Sequence, residues 1–249
     1  MGERTVLILP GAGDPPSVWS LVGEAVNRSG IRCEILEYPM KGANAKPQPT
    51  SIEEYAAWVL SEMDRRDLSD IVIAGHSMGA LIALEIGSKR SQRVAGLVVM
   101  SPAEPLFVHP LLLGSAEDDP AEAASMIARW SYSRNSRESL SDRIALHASK
   151  TTALEPGVLA TDLHACNNYT NASAAAAQID VPTTVILSGD DHMTPRSAAV
   201  PILENLSGAE THLLDGAGHA MQHERPQDVA AIIVAAAGSP SKIDSIGTT

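Results

Sequence analysis

A short apolar run, Ile71-Val72-Ile73-Ala74, leads into Gly75-His76-Ser77-Met78-Gly79, and a small, helix-forming run, Ala80-Leu81-Ile82-Ala83-Leu84-Glu85, follows. A buried strand that turns at once into a helix has little room at the turn. The positions flanking the serine must therefore lack side chains, and Gly75 and Gly79 do. Such a turn lifts the Ser77 hydroxyl clear of the sheet and sets it beside the free N–H groups of a helix start. This is the context a G-x-S-x-G elbow needs for its serine to act as a nucleophile.

The rest of the chain supplies a rhythm into which that turn fits. Strands are expected at residues 5–9, 31–37, 71–74, 94–100, 181–188 and 210–215. Several are continuously apolar rather than alternating, as strands covered on both faces are. Helices are expected at 17–30, from Ser51 through Met63, and at 80–90, 196–206 and 225–237. Ser51-Ile52-Glu53-Glu54 resembles a capping box, and Pro226 suits a first helical turn. Strands alternating with helices imply an α/β fold: a mostly parallel sheet of about six strands with helices on both faces, joined by right-handed crossovers.

Between residues 102 and 180 no strand is legible. Helices are expected there at 120–132, 138–150 and 157–166. This stretch leaves and re-enters at the carboxyl ends of strands, where open α/β sheets bind ligands, so it reads as a helical cap over a site. The organisation expected is a core of residues 1–102 and 181–237, a cap of 103–180 and a polar, disordered tail of 238–249.

Composition narrows the functions. The chain has 249 residues, 44% of them hydrophobic and 19% charged, which is a globular composition with ample core. Lys and Arg number 18 against 30 Asp and Glu, a formal charge of -12. That balance argues against nucleic acid and against anionic membrane surfaces. Cys33 and Cys166 occur in unrelated contexts and read as free thiols of a reducing compartment. No signal peptide or membrane-span-length run is visible, so a cytoplasmic location is expected.

A serine hydroxyl needs a base, and the base needs an orienting carboxylate. Gly216-Ala217-Gly218-His219 follows the last strand, in a loop flexible enough to bring a ring nitrogen to Ser77. His76 is expected to pack sideways. His223 stands four residues after His219, a helical metal spacing, but no third ligand accompanies it, and no metal or cofactor is expected. The acid lies in Gly189-Asp190-Asp191-His192-Met193-Thr194-Pro195, where neighbouring aspartates point to opposite sides and only one can face the imidazole. For an oxyanion hole, the N–H of Met78 and that of Ala12, in the Gly11-Ala12-Gly13 loop, are the expected donors.

These motifs resemble those of the α/β-hydrolase superfamily, in its capped serine-esterase-like branch, over residues 5 to about 237. Gly75-His76-Ser77-Met78-Gly79 is similar to the family's elbow. Gly216-Ala217-Gly218-His219, followed by Glu224-Arg225-Pro226, is similar to its histidine loop. Asp191 stands four residues before Pro195, as the family's acid does, which favours Asp191 over Asp190. The segment Asp162-Leu163-His164-Ala165-Cys166-Asn167-Asn168-Tyr169 resembles the cap exit of bacterial members. Two features depart from the pattern: Pro10-Gly11 replaces the usual His-Gly, and the chain begins at what resembles the family's third strand.

The resemblance implies a serine hydrolase of carboxylic esters with the triad Ser77, His219 and Asp191, acting on a small-molecule ester-type substrate. Trp19, Met78, Phe107, Leu111, Leu112, Trp130, Met193 and Met221 are candidate pocket walls. A thioesterase or amidase is a near alternative. Another is a C–C bond hydrolase of ring-cleavage dienoic acids, whose substrate carboxylate Arg129, Arg134 or Arg137 could hold. A non-catalytic ligand receptor on the same scaffold is a third reading, from a different class.

Overall fold

The computed structural model describes residues 4–39 and 48–238. The middle of the loop read between residues 38 and 49 lies outside them, as does the expected tail from 239 onward. Gly238, counted above with the tail, is the last residue of a helix.

Six strands, β1 (Thr5–Leu9), β2 (Arg32–Ile35), β3 (Ile71–His76), β4 (Val94–Met100), β5 (Thr183–Ser188) and β6 (Glu210–Leu214), form one sheet in the order β2-β1-β3-β4-β5-β6. Every pairing is parallel. Alternate residues face opposite sides and build two cores. Val6, Ile8, Val72, Ala74, Val98, Met100 and Ile186 pack with Val22 and Val26 of α1 (Ser20–Arg28) and with Val229 and Ile233 of α11 (Pro226–Gly238). Leu7, Leu9, Ile71, Ile73, Leu97, Val99 and Val185 pack with α2 (Ile52–Arg65), α3 (Met78–Ser88) and α9 (Arg196–Asn205). Burying each such side chain fully contributes about 1.5–3 kcal/mol, and this two-sided burial explains why the strands read as unbroken apolar runs.

The chain runs from β1 outward to β2 and then returns to place β3 on β1's other side. The strand order thus reverses between β1 and β3, and the loops that leave their carboxyl ends diverge. The register aligns those ends: Leu9 is opposite Gly75, and His76 opposite Met100. Pro10, Ser77 and Ser101 therefore emerge along one rim, the position where parallel α/β sheets hold ligands.

Between β4 and β5 lie α4 (Pro110–Asp118), α5 (Pro120–Ser131), α6 (Ser141–Thr152), α7 (Val158–Asn168) and α8 (Ala172–Ala176). Two of these, α4 and α8, have no counterpart in the sequence reading. Pro110 opens α4 while the His109 ring accepts from Leu111 N–H, a cap that the usual Ser/Thr/Asp/Asn signal does not cover. Helix α8 is a five-residue alanine-rich turn that packs on α3 and α9, so the last part of the insertion shares the core's helical layer. The short α10 (Met221–Glu224) has no counterpart in the sequence reading either. At Ser51 the expected cap forms: its hydroxyl accepts from Glu54 N–H, while the Glu54 carboxylate accepts from Thr50 N–H. No described helix is long and apolar enough to cross a membrane.

Candidate active site

Ser77 sits between β3 and α3 with φ 54° and ψ -114°, a strained conformation for a residue with a side chain. Packing enforces it. A Cβ on Gly75 would lie 2.0 Å from the Gly79 carbonyl oxygen, and one on Gly79 would lie 2.1 Å from that of Leu9. Both glycines are thus required by contact with backbone, which cannot yield. The Ser77 N–H donates to Met100 O at 3.0 Å and anchors the elbow to β4.

The loop after β6 brings His219 to the same rim, where Ser77 and His219 line one cavity of about 1000 Å³. Three bonds fix this loop. Gly218 N–H donates to the Glu224 carboxylate, Ala220 N–H donates to Ser131 O, and the His76 ring donates through Nε2 to His219 O at 3.0 Å. Since a carbonyl only accepts, His76 carries its proton on Nε2. Burial and the neighbouring His219 hold His76 down to about 3, so it stays neutral. It does pack sideways, against the rings of Trp19 at 5.3 Å and His219 at 4.6 Å.

The acid facing His219 is Asp191. Its Oδ2 accepts from His219 Nδ1 at 2.9 Å, from Ser101 Oγ at 2.9 Å and from Thr194 Oγ1 at 2.9 Å. Its Oδ1 accepts from the N–H groups of Met193 and Thr194. Burial opposes the Asp191 charge, but His219 and these donors outweigh it and hold the carboxyl down to about 2. Burial likewise opposes charge on His219, yet the Asp191 carboxylate raises the imidazole above its ordinary value. Asp190 instead accepts from Arg134 N–H and pairs with His192. An imidazole with Nδ1–H held by a carboxylate and Nε2 turned to the cavity is set to take a proton from a hydroxyl. The Ser77 hydroxyl makes no hydrogen bond to that ring among the described residues, an alignment that in related arrangements tightens only with substrate.

Met78 N–H opens α3, and Ala12 N–H lies in the loop after β1. Neither meets an acceptor among the described residues. Ala12, Phe107, Leu111, Leu112, Trp130 and Met193 all line the cavity. Three expected pocket walls do not. Trp19, Met78 and Met221 are fully buried. Trp19 lies behind the elbow in a 3-10 turn (Pro16–Trp19), packed into the α1/α11 core with Met221. The Met78 side chain fills the core on the opposite face. An apolar side chain suits a core and a pocket wall equally. Arg129, Arg134 and Arg137 line the cavity too. Of the site's supporting groups, Ser101, Thr194, Glu224, Asp14, His147 and Asp162 were not assigned from sequence. Thr194 and Glu224 lie inside the acid and histidine loops, and Asp162 opens the segment that resembles a cap exit, but nothing in those motifs points to the contacts they make.

No cluster of three or more metal-ligating side chains occurs among the described residues. The His219 and His223 rings are taken up by Asp191 and Tyr132 respectively.

A parallel sheet with a Gly-flanked serine at its carboxyl rim, a carboxylate-held imidazole beside it and a large cavity above defines a hydrolase of the α/β-hydrolase fold. The comparisons agree: the model of the Alpha/beta hydrolase family matches residues 6–232, and the chain belongs to that family. Among curated relatives, it is 25% identical to a pimeloyl-[acyl-carrier protein] methyl ester esterase of Aromatoleum aromaticum, covering 94% of this chain and 98% of that one. It is 25% identical to a putative carbamate hydrolase of Klebsiella pneumoniae, over 88% of this chain and 85% of the other. A 2-hydroxy-6-oxononadienedioate/2-hydroxy-6-oxononatrienedioate hydrolase of Cupriavidus pinatubonensis is 24% identical, over 90% and 83%. Among solved structures, the enol-lactonase of Burkholderia xenovorans superposes with a TM-score of 0.83 at 17% identity, covering 94% of this chain and 91% of that one. That likeness speaks for the fold alone.

Proposed function

We propose that this chain is a serine hydrolase that cleaves carboxylic esters of small to medium, largely apolar molecules through an acyl-enzyme. The observation that carries this reading is the His219–Asp191 pair, held at the rim of the cavity that Ser77 also lines. Ser77 Oγ attacks the ester carbonyl while His219 Nε2 takes its proton. Asp191 keeps the proton of the other ring nitrogen on Nδ1 and stabilises the imidazolium. The N–H groups of Ala12 and Met78 receive the oxyanion as the tetrahedral centre forms. His219 then returns the proton to the departing alcohol, and water repeats the sequence in reverse to release the acid. Residues 103–180 act as a cap whose apolar side chains, Phe107, Leu111, Leu112 and Trp130, receive the acyl or alcohol chain.

The relatives at about 25% identity include an ester hydrolase and a putative carbamate hydrolase, which supports acyl-type substrates in general. One observation favours a second reading. Arg129 and Arg134 line the cavity, and no ion pair is seen for either among the described residues. A C–C hydrolase of ring-cleavage dienoic acids would use them to hold a carboxylate, and one relative carries a name of that type.

The test is a panel of aryl esters of increasing acyl length, run with wild type and Ser77→Ala, beside one ring-cleavage dienoate. Ester turnover lost on Ser77→Ala supports the first reading, and a dienoate preferred by a factor of about 100 in kcat/KM replaces it with the second. A fluorophosphonate that leaves Ser77 unlabelled would favour the non-catalytic receptor.

A further inference from the structure

The loop after β1 is a tight turn. Asp14 N–H donates to Gly11 O at 3.2 Å, and Gly13, at the third position, has φ +70°. This is the turn form in which a left-handed third residue sets the orientation of the central peptide, here the one joining Ala12 to Gly13. Nothing in the loop itself takes up the N–H of that peptide. A residue 149 positions away does: Gly13 N–H donates to Asp162 Oδ2, on α7, at 3.0 Å.

Asp162 is buried, and its other oxygen accepts from Tyr55 Oη at 2.5 Å and Gln48 Nε2 at 3.1 Å. Three donors thus hold the carboxylate in a fixed place. The next residue of the turn is gripped as well, since His147 Nε2 on α6 bonds Asp14 Oδ1 at 2.9 Å, with both side chains buried. The same two helices press on the turn directly. A Cβ on Gly13 would lie 2.6 Å from Leu159 Cδ1 of α7 and 3.1 Å from Thr151 Cγ2 of α6.

From this geometry we infer that Asp162, seconded by His147, is a positioning residue for the oxyanion hole. From the cap it locks the Gly11–Asp14 turn, and so the Ala12 N–H, in the place where charge develops. The inference rests on the reading of Ala12 given under Proposed function. It makes the cap a working part of the reaction rather than a pocket wall only. A burial-driven fold would put an apolar residue at position 162. A carboxylate that binds a backbone N–H of the turn has a use when that turn must not shift, because displacement of a catalytic group by about 1 Å can cost on the order of 100-fold in rate.

The experiment compares wild type, Asp162→Leu and Tyr55→Phe with an aryl ester and two inhibitors. One inhibitor is an alkyl trifluoromethyl ketone, to whose carbonyl Ser77 Oγ adds. The Ser77 proton passes to His219, and the former carbonyl oxygen becomes the hemiketal oxyanion. The other is the corresponding secondary alcohol, which forms no oxyanion. Asp162→Leu keeps a side chain of similar size but offers no acceptor, so the Gly13 N–H loses its partner and the grip on the turn is lost. Expected are parallel losses of about 10–100-fold in kcat and in trifluoromethyl ketone affinity, with KM and alcohol affinity changed less than about threefold.

Tyr55→Phe keeps the Gly13 bond, so it should lower the melting temperature while leaving the ketone affinity near wild type. A folded Asp162→Leu with kcat within about threefold of wild type overturns the inference, as does a loss confined to KM. Should that variant not fold, His147→Leu frees the other end of the turn and carries the same expectation, read on kcat against KM. Wild type that no fluorophosphonate labels at Ser77 would instead refute the function proposed for the site.

Discussion

Exchanging Asp191 for Asn changes one atom of the site, and the structure says which way that atom must face. Asp191 Oδ1 accepts from two backbone N–H groups, those of Met193 and Thr194 at 2.9 and 2.8 Å. Backbone donors cannot reverse, so the new NH2 cannot stand there. It must take the Oδ2 position, opposite Ser101 Oγ, Thr194 Oγ1 and His219 Nδ1. The two hydroxyls rotate and accept. The ring has one neutral answer, which is to move its proton from Nδ1 to Nε2. That tautomer presents an N–H to Ser77 and cannot act as a base. The same exchange in a well-studied serine protease lowers kcat about 10⁴-fold with the geometry intact. An equal loss here corresponds to about 5.5 kcal/mol of barrier, at about 1.4 kcal/mol per factor of ten. Single-turnover hydrolysis of an aryl ester, with fluorophosphonate labelling as a second reading, measures it. The Asp190 side chain meets Arg134 N–H and His192, and Asp190→Asn should stay within a few-fold of wild type. Asp191→Asn within tenfold of wild type, or the larger loss at Asp190, would refute the reasoning.

Because His219 must be neutral to act and Asp191 raises it above its ordinary 6.5, the acid limb of kcat/KM should have its midpoint above pH 6.5. A midpoint below that value contradicts the assignment. Gly79→Ala drives a Cβ against the Leu9 carbonyl and should cost more than about 4 kcal/mol or abolish soluble expression. By contrast Gly114→Ala, in α4 with no neighbour within 4 Å, should raise stability by about 0.5–1 kcal/mol in urea denaturation. Burial lifts Asp162 from 3.8 to about 6, despite the donors around it. The folded state then binds a proton more tightly than the unfolded chain across that window, so the contribution of Asp162 to stability falls as pH rises from about 4 to 6. The loss amounts to about 3 kcal/mol. Asp191, held down to about 2, behaves oppositely, with stability lost as pH falls below about 4. Urea midpoints of wild type and Asp162→Asn should therefore diverge in favour of the Asn variant between pH 4 and 6, and a constant difference would contradict this.

Some of this protein is fixed locally, and there the sequence is sufficient. Gly75 and Gly79 must be glycine because backbone lies about 2 Å from any Cβ, and the cramped turn that demands this spans only five residues. The strands are legible because helices cover both faces of the sheet, which makes their runs continuously apolar. The residues alone leave Asp190 and Asp191 open, and only the resemblance to the family's acid loop, with its acid four residues before a proline, favours Asp191; the structure shows that loop turning back on the Asp191 carboxylate through the N–H groups of Met193 and Thr194. Where a property depends on what lies on the other side of a side chain, the sequence is silent. Trp19 and Met221 look like pocket walls because water-excluding contact has the same composition in a core as in a cavity. Only the packing of the 3-10 turn and α10 behind the elbow decides between the two. Ser101 bonds a carboxylate 90 residues away, and Asp162 bonds a glycine 149 residues away. No periodicity encodes such pairs. They exist because the parallel crossovers deliver every strand's carboxyl end to one rim, and because the helices between β4 and β5 fold back over it.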